Sequence, residues 1–407
     1  MDGRYTIISA DTHCGADVAD YRAYLASRFH EEFDAWAATY EVPFADLRAP
    51  IAYRSWDSER RLAEHEADGV VAEVLFPNTV PPFFEEGNLV ALPPRAADYE
   101  RRWAGVQAHN RWLADFCAAA PGRRAGVVQV FANRLDDALA EIMWAAAHVD
   151  IFGGILLPSI PPGSDLPPLY DPVYDPLWRL CEEIGAVINV HAGSGLPAYG
   201  ELEIARAIML VELPWFSHRP LWHLIFGGVF ERFPGLKVAL TEQGVAWLPR
   251  GLETLDWFYG RMAHGNAAEA LYFGAATQAL TMKPSEYFAR NVWLGASFLR
   301  SSESALRPGF GADRIMWGDD YPHSEGTWPN SREALRVAFA GEDVEVVRRC
   351  VGANAAALYG FDLDALAPLA ARVGPLVEEI AEPIDPSAYP VASTSNAFDT
   401  TQVLRAW

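Results

Sequence analysis

The stretch DSERRLAEHEADGVVAEVLF, residues 57–76, contains one helix-like segment followed by one strand-like segment. Residues 57–68 begin with an acidic capping residue, Asp57, and keep their charged side chains on one side, as an amphipathic helix does. Residues 70–76 form an almost continuous apolar run, which is typical of a strand that is buried on both faces. This helix-and-strand unit recurs along the chain, and its repetition decides the predicted fold.

Eight short runs of β-branched and aliphatic residues are predicted to be strands. They are YTIISAD (5–11), VVAEVLF (70–76), AGVVQVF (125–131), GGILLP (153–158), AVINVH (186–191), LKVALT (236–241), NVWLGA (291–296) and RIMWGD (314–319). The predicted helices between them are 57–68, 99–120, 135–148, 172–184, 245–262 and 331–340, with two more inside 201–233 that are separated near Pro214 to Pro220. Eight strand–helix repeats predict an α/β fold, a (β/α)8 TIM barrel, and an open doubly wound sheet is the alternative.

Two regions lie outside the repeat. Residues 12–69 contain more chain than one helix needs, so they are predicted to hold an insertion after strand 1, a lid over the site, together with the first helix. Residues 363–407 are rich in Pro, Ala and Ser, and they form a predicted extension that is either disordered or wraps a neighbouring subunit. The barrel itself is predicted to span residues 1–362, so we expect one domain with an insertion and a tail.

The composition excludes several classes of protein and favours a cytoplasmic enzyme. The chain has 407 residues, of which 54 are acidic and 32 basic, so its net charge is −22. Nucleic acids and anionic membrane surfaces are bound through clustered basic residues, and we therefore expect neither as a partner. The apolar runs are shorter than the ~20 residues of a membrane span, and the N-terminus lacks the pattern of a signal peptide. Four scattered cysteines without a CxxC pair argue against a disulfide framework or a zinc ribbon.

Polar residues at the ends of the predicted strands form the candidate site, because all strands of such a barrel point their carboxyl ends at one face. Strand 1 ends with Asp11 and His13, whose side chains face the same way because they are two residues apart. Strand 5 ends with His191, and strand 8 ends with the aspartate pair 319–320. Two imidazoles and two carboxylates suit one divalent ion, above all Zn²⁺, and also Mn²⁺ or Fe²⁺. The pattern predicts a site for a single metal ion that activates water or polarises the substrate.

The segment MWGDDYPHSEGTWPNS (316–331) is close to the W-G-[ST]-D-Y-P-H motif with which strand 8 ends in a known family. Further segments that match that family are WDSERRLAEHEADGVVAEVLFPN (56–78), VINVHAG (187–193), FGGVFERFPGLKVALTEQGVAWLP (226–249) and GANAAALYGF (352–361). Over about residues 5–360, the chain resembles the amidohydrolase-related group (amidohydrolase 2) that contains aminocarboxymuconate semialdehyde decarboxylase and the resorcylate-type decarboxylases. The resemblance implies a metal-dependent barrel enzyme.

The resemblance also implies which residues bind the metal. Asp320, the second aspartate of the strand 8 motif, stands at the position of a metal ligand. His191 matches the ligand on strand 5, and His13 matches the second ligand position on strand 1. Asp11 stands where relatives have His, Glu or Asp, all of which can bind a metal. Asp319 stands where many relatives have Ser or Thr, so we expect it just outside the ligand set.

Glu242 is the main departure from the family pattern. In the decarboxylases, strand 6 ends with a His followed by Gly, near the metal-bound water, whereas this chain has Glu242 in the sequence T-E-Q-G. A carboxylate there is suited to act as a general base or to hold a substrate cation, and capping of the following helix is the alternative. This departure favours hydrolysis. We therefore expect a metal-dependent hydrolase in which Asp320, Glu242 and His191 are catalytic, and whose substrate is a small aromatic or hydrophobic amide, lactone or C–C compound.

Two alternative functions and a set of substrate contacts complete the predictions. Non-oxidative decarboxylation of an aromatic or unsaturated carboxylic acid is the first alternative, and a non-catalytic ligand-binding barrel is the second. Residues near the strand ends are expected to contact a small-molecule substrate, namely Arg54, Asn78, Trp215, Phe216, His218 and His323. For the three residues between 215 and 218, packing inside the protein is the alternative role. We also expect a homodimer, because relatives commonly dimerise and the tail carries aromatic residues.

Overall fold

Eight parallel strands form one sheet in which neighbours in the chain are also neighbours in space. The computed structural model describes residues 3–42, 47–48, 50–78, 81–84, 92–200, 202–264, 268–304 and 311–400. The strands are β1 Ile7–Cys14, β2 Val70–Pro77, β3 Arg124–Val128, β4 Ile151–Leu156, β5 Val187–His191, β6 Lys237–Thr241, β7 Val292–Ser297 and β8 Ile315–Gly318. A parallel bridge between Thr12 and Tyr321 joins β1 to the segment that follows β8 and closes the sheet. The predicted (β/α)8 barrel is confirmed.

The strands are buried on both sides, as their continuous apolar runs predicted. All eight residues of β1 are buried, and so are seven of the eight residues of β2. Glu73 is a buried carboxylate on β2 that is paired, since it accepts hydrogen bonds from Arg61 Nη2 (2.6 Å) and Arg124 Nε (3.0 Å). Arg61 also donates from Nη1 to the carbonyl oxygen of His13 (2.7 Å). This buried ion-pair group therefore holds the carboxyl end of β1 in place.

Helices connect and flank the strands. They are α1 His30–Ala37, α2 Ser58–Asp68, α3 Tyr99–Ala118, α4 Leu135–His148, α5 Asp175–Ile184, α6 Glu203–Phe226, α7 Val229–Arg232, α8 Leu248–Ala263, α9 Ala268–Phe273, α10 Pro284–Asn291, α11 Ser301–Ser304, α12 Ser331–Phe339, α13 Val344–Arg348, α14 Asn354–Tyr359, α15 Leu363–Val373 and α16 Val377–Ala381. Asp57 caps α2 as predicted, because its carboxylate accepts a hydrogen bond from the backbone nitrogen of Arg60 (3.1 Å). Gly69 ends that helix with a left-handed φ of 95°. None of the described helices combines the length and the apolar character that a membrane crossing requires.

Helix α6 differs from the prediction of two helices separated near Pro214 to Pro220. It is one uninterrupted helix of 24 residues that contains both prolines, and the short helix α7 follows it. Each proline removes one backbone hydrogen bond. However, Pro220 itself is buried together with Leu221 and Leu224 on the same helix. We attribute the continuity of the helix to this burial, which outweighs the local preference for a break.

The insertion predicted within residues 12–69 begins later than expected, because β1 continues to Cys14. Part of it packs on α3, where Tyr21 Oη and His109 Nδ1 lie 2.8 Å apart and both side chains are buried. Leu47, from the same insertion, lines a cavity that also contains the end of β1. The predicted lid gains support from this contact and stays a prediction.

The predicted extension 363–407 is described as far as residue 400. It contains α15, α16 and 3-10 turns at Pro386–Ala388 and Asn396–Phe398. Phe398 is buried in a small cluster with Phe298 and Val337, so this part of the extension lies against its own barrel. Residues 401–407 lie outside the described part of the chain, and the predicted contact with a neighbouring subunit stays a prediction.

Candidate metal centre

The four predicted metal ligands converge at the carboxyl ends of three strands. His13 Nε2 lies 3.4 Å from Asp11 Oδ1 and 3.1 Å from Asp320 Oδ1. His191 Nε2 lies 3.3 Å from the same oxygen of Asp11. All four side chains are buried or nearly so. The structure therefore brings together two imidazole nitrogens and two carboxylates that are as many as 309 positions apart in the sequence.

The backbone around Asp320 is held in an uncommon conformation. Its φ is 56°, in the left-handed region that non-glycine residues seldom adopt. Two hydrogen bonds across the barrel seam fix it there, from Asp320 N to Asp11 O (2.9 Å) and from His13 N to Tyr321 O (2.7 Å). Gly318 allows this seam to close, because a β-carbon at that position would lie only 2.6 Å from Cβ of Asp11. The seam thus sets the position of three candidate ligands.

Both imidazole rings of the ligand set are oriented by backbone carbonyl groups. His13 Nδ1 lies 3.2 Å from the oxygen of Pro77, and His191 Nδ1 lies 3.3 Å from the oxygen of Ala192. A carbonyl oxygen only accepts, so Nδ1 carries the hydrogen in both rings and Nε2 of the neutral ring presents a lone pair. Each lone pair then faces a carboxylate oxygen of Asp11. Two acceptors facing each other require either an additional proton or a cation between them.

A divalent metal ion fits this arrangement. His13 Nε2 and Asp320 Oδ2 are buried, and neither makes a hydrogen bond with any residue in the described ranges. Candidate ligand atoms of Asp11, His13 and His191 lie within 4.8 Å of one another. Imidazole nitrogen and carboxylate oxygen are common ligands of divalent transition metals. The donor set therefore supports a divalent metal.

The charges of the site favour cation binding. Burial by itself would raise the pKa of Asp11. The rings of His13 and His191 beside it have the opposite and larger effect, so the pKa of Asp11 lies below its ordinary range. Burial likewise raises the pKa of Asp320, and His323 and His13 together bring it below its ordinary value. The two aspartates raise the pKa of His13 in return, against the effect of burial. Because a metal must displace imidazole protons, its affinity is expected to increase with pH.

Glu242 lies beside the ligand set and does not cap a helix. It follows β6, it lines the cavity, and its Oε2 is 3.5 Å from Nδ1 of His191. Helix α8 has Trp247 as its N-terminal capping position, so the capping alternative is wrong. Burial raises the pKa of Glu242 to about 8, and the neighbouring charge of Asp320 contributes to this shift. The side chain is thus placed to exchange a proton with a molecule in the cavity.

His323 and Asn78 connect Asp320 to the edge of the site, as expected of cavity residues. His323 Nδ1 is 2.9 Å from Asp320 Oδ1, and its Nε2 is 3.0 Å from Oδ1 of Asn78. Both partners are acceptors, so the ring carries two hydrogens and a positive charge. Burial lowers the pKa of His323, but Asp320 raises it more strongly, to about 10. The ring also stacks on His13 with centroids 4.2 Å apart, which fixes the orientation of both rings.

Asp319 lies outside the ligand set, as the sequence predicted. Its Oδ1 accepts a hydrogen bond from Ser9 Oγ (2.7 Å). Burial raises the pKa of this carboxyl group to about 8. Its Oδ2 lies 3.8 Å from Nε2 of His65 on α2, so the side chain supports the end of β8 from the side of that helix and does not face the candidate ligands.

The cavity next to these residues has a volume of about 430 Å³, which is in the range of small-molecule sites. One wall is formed by α6, through residues spaced three and four apart, namely Leu210, Leu213, Pro214 and Ser217. That spacing marks one face of the helix. The remaining walls come from the strand ends and from the loops that follow them, so the cavity and the candidate metal centre are continuous.

Four predicted substrate contacts do not line this cavity. Trp215 is 55% exposed, and His218 is buried against Trp247 with ring centroids 3.7 Å apart. Phe216 lines a small separate pocket. The reason is rotation about the axis of α6, because these three residues point in other directions than the four residues of the helix that face the cavity. Arg54 instead pairs with Glu64, its Nε lying 3.3 Å from Oε2.

Two cavity residues at the end of β7 were missed by the sequence analysis. Ser297 Oγ donates a hydrogen bond to Asp11 Oδ2, and Arg300 lines the cavity. The rule that picks polar residues at strand ends would have found Ser297, which is the last residue of its strand. Arg300 lies three residues further on, in a loop whose course the sequence pattern does not predict.

The chain is similar in sequence to the 2-amino-3-carboxymuconate-6-semialdehyde decarboxylase of Dictyostelium discoideum, with 25% identity over 371 residues that cover 87% of this chain and 85% of the relative. The crystal structure of 5-carboxyvanillate decarboxylase from Sphingomonas paucimobilis is also similar, with a TM-score of 0.63 and 22% identity over 88% of this chain and 100% of that chain. The 5-carboxyvanillate decarboxylase of Novosphingobium aromaticivorans, crystallised with manganese and 4-hydroxy-3-methoxy-5-nitrobenzoic acid, has a TM-score of 0.67 and 19% identity over 88% of this chain and 97% of that chain. At these identities, the two structures support the fold alone.

These relatives correct the main functional prediction, which was a hydrolase. The sequence relative that spans most of the chain is a decarboxylase. The prediction of hydrolysis depended on Glu242, and a carboxyl group there is as suited to donate a proton as to remove one from water. The hydrolase prediction is therefore wrong, and the alternative reaction, decarboxylation, agrees better with the relatives.

A family model matches almost the whole barrel. The match covers residues 18–361, which begin after β1 and end after α14. It includes the candidate ligands His191 and Asp320 as well as Glu242 between them. The extent of this match shows that the chain belongs to the amidohydrolase family.

Proposed function

We propose that this protein is a metal-dependent decarboxylase that removes CO₂ from a small aromatic or unsaturated carboxylic acid. The observation that carries the proposal is the set of Asp11, His13, His191 and Asp320, which fits a divalent ion and adjoins the cavity that Glu242 lines. Similarity to a decarboxylase over 87% of the chain supports the same reaction. The cavity is large enough for a single-ring acid.

The chemistry divides between the metal site and the cavity residues. Asp11, His13, His191 and Asp320 would hold a divalent ion, which would supply positive charge that stabilises the negative charge developing on the substrate as CO₂ leaves. The bond between the carboxyl carbon and the adjacent carbon breaks, and its electron pair stays on the adjacent carbon. Glu242 then donates a proton to that carbon, and the proton takes the place of the departing CO₂.

Other residues hold these groups in place. His191 lies between Asp11 and Glu242, so its ring sets the distance between the ligand set and the proton donor. His323 positions Asp320 through a hydrogen bond of 2.9 Å. Phe76 and Phe298 supply apolar surface to the cavity, which favours an aromatic ring and excludes water from the reacting carbon.

The identity of the metal is a separate proposal. The sequence favoured Zn²⁺, with Mn²⁺ or Fe²⁺ as alternatives. Two of the four candidate ligands are carboxylates, which suit Mn²⁺, and the other two are imidazoles, which suit Zn²⁺. The similar Novosphingobium aromaticivorans enzyme was crystallised with manganese. We therefore propose Mn²⁺ as the ion to test first, and metal analysis of the protein purified without chelators decides between it and Zn²⁺.

Detection of CO₂ tests the reaction. Protein loaded with Mn²⁺ is incubated with a panel of hydroxybenzoates and unsaturated carboxylic acids, and aryl amides serve as the comparison. We expect CO₂ from at least one acid, loss of the activity on removal of the metal with a chelator, and recovery when Mn²⁺ is added back. If the metal-loaded protein released CO₂ from none of the acids, the proposed function would be refuted. Acid binding without turnover would support the non-catalytic barrel instead.

A further inference from the structure

Arg300 is a buried arginine in the cavity wall, and one of its donor groups has no acceptor among the residues that the structure describes. The residue is only 5% exposed, and it lies three residues beyond the end of β7. Its Nε is 3.4 Å from Glu303 Oε2, and its Nη1 is 3.4 Å from Asp399 Oδ2. Its Nη2 is buried and makes no hydrogen bond with any residue that the structure describes. A buried guanidinium nitrogen without an acceptor is costly, so this position calls for a ligand atom.

The C-terminal extension completes the same part of the cavity. Asn396 lines the cavity, and Asp399 lies against Arg300. The burial of Phe398 beside Phe298 holds this segment on the barrel. Thr394 also donates a hydrogen bond from Oγ1 to the carbonyl oxygen of Ser324. The extension is therefore positioned to bring the amide of Asn396 to a molecule in the cavity.

The charges around Arg300 indicate which chemical group suits its free nitrogen. Glu303 is held in place, because its Oε2 accepts from the backbone nitrogen of Arg300 (3.3 Å) and its Oε1 accepts from that of Val245 (3.4 Å). With Glu303 on one side and Asp399 on the other, the positive charge of Arg300 is already offset. A second carboxylate on the substrate would meet these two negative charges. An uncharged oxygen can accept the free N–H without that repulsion.

We propose that Arg300 and Asn396 form a subsite for an uncharged oxygen acceptor, such as a carbonyl or hydroxyl group, on a ring whose carboxylate lies at the metal centre. The proposal rests on the proposed function in one respect, namely that the bound molecule is an aromatic acid. It assigns substrate recognition to two segments, the loop after β7 and the C-terminal extension. Specificity within this protein would then depend on residues that lie outside the strand-end motifs.

Pairs of probe acids with the same shape test the subsite. We choose 3-acetylbenzoate and 3-isopropylbenzoate, together with their 4-substituted isomers, because acetyl and isopropyl groups differ mainly in the acceptor oxygen. Dissociation constants are measured by calorimetry with the Mn²⁺-loaded protein. We expect one acetyl acid to bind about tenfold more tightly than its isopropyl partner, as a hydrogen bond from a charged donor typically gives. Isophthalate, which carries a second carboxylate, is expected to bind less tightly than that acetyl acid.

Two variants assign this preference to the proposed residues. Arg300→Met is combined with Glu303→Gln, so that no buried carboxylate is left unpaired, and Asn396→Leu leaves the ion pairs intact. In the first variant the preference for acetyl is expected to fall to about one, and in the second to decrease several-fold. Arg250→Met changes an arginine that is exposed on α8 and is expected to keep the preference. Thermal unfolding of every variant shows whether the fold is retained.

Each outcome decides the question. The subsite would be overturned if the wild type bound acetyl and isopropyl acids equally well, or if its preference for acetyl survived in both variants. It would also be overturned if isophthalate bound most tightly, or if the wild type bound none of the probes. If the protein releases CO₂ from an acid but shows no Arg300-dependent preference, the subsite fails and the proposed function stands. If the preference depends on Arg300 but no acid releases CO₂, the proposed function fails and the subsite stands.

Discussion

At the scale of single residues, Asp320 contacts two imidazole rings at once. Its Oδ1 lies 3.1 Å from His13 Nε2 and 2.9 Å from His323 Nδ1. We expect Asp320→Asn to reduce bound metal from about one ion per chain to a small fraction and to reduce CO₂ release at least 100-fold, because ligand charge is lost. Asparagine tolerates the left-handed φ of this position, so the fold should persist. Metal analysis and thermal unfolding measure both effects.

The neighbouring aspartate supplies the control for that experiment. Asp319 binds Ser9 and faces away from the candidate ligands. Asp319→Asn should therefore leave the metal content close to that of the wild type. Equal loss of metal in the two variants would show that the assignment of Asp320 as the ligand is wrong.

Glu242 acts on the substrate in the proposed reaction without belonging to the ligand set. We expect Glu242→Gln to reduce turnover by about 10²- to 10⁴-fold, because the amide cannot donate the proton. Metal content should remain unchanged, which distinguishes this variant from changes to the ligands. Glu325→Gln, at another position in the same cavity wall, is expected to have a much smaller effect. Unaltered turnover in Glu242→Gln would remove the residue from the mechanism.

At the scale of elements, the sequence predicts the strands well and the helix faces poorly. Continuous apolar runs identify buried strands without any knowledge of which residues surround them in space. Residues at strand ends converge because the carboxyl ends of all strands in a barrel lie at one face. This is why Asp11, His13, His191 and Asp320 could be grouped from sequence, although their binding of a metal stays a prediction. In contrast, the face that α6 turns to the cavity depends on its rotation, which the sequence pattern does not predict, and Trp215 and its neighbours lie outside the cavity lining.

The seam between β1 and β8 is the element on which the site depends most directly. A methyl group on Gly318 would meet Cβ of Asp11 at 2.6 Å, and overpacking of this kind costs about 1–3 kcal/mol. We expect Gly318→Ala to lower the free energy of unfolding by that amount and to weaken metal binding, since Asp11 and Asp320 move with the seam. Chemical denaturation and metal titration measure the two effects.

Gly260 provides the matched control for the seam. It lies inside α8, and a β-carbon there would have no atom within 4 Å outside its own helix. Gly260→Ala should therefore stabilise the protein slightly, by about 0.5–1 kcal/mol, through the higher helix propensity of alanine. Destabilisation of similar size in both variants would contradict a specific role for the seam.

At the scale of the whole molecule, exposed apolar side chains support the predicted homodimer, which stays a prediction. Leu271 and Tyr272 on α9 are 79% and 75% exposed, and Leu202, just before α6, is 74% exposed. Neighbouring exposed apolar side chains, such as those of Leu271 and Tyr272, are a common feature of protein interfaces. We expect the protein to have twice the mass of one chain in light scattering. Leu271→Glu combined with Tyr272→Glu should shift it towards the monomer, because two charges would be buried in the interface.

The same experiment separates the interface from the active site. Met143 on α4 is also exposed, at 51%, so Met143→Glu adds a charge elsewhere on the surface and should leave the dimer intact. Because each chain carries all four candidate ligands, monomers of the α9 variant should keep their metal and their preference for acetyl over isopropyl acids. If dissociation removed both the metal and the preference for acetyl acids, the site would need residues of a second copy. If the wild-type protein had the mass of a single chain in light scattering, the predicted dimer would be refuted.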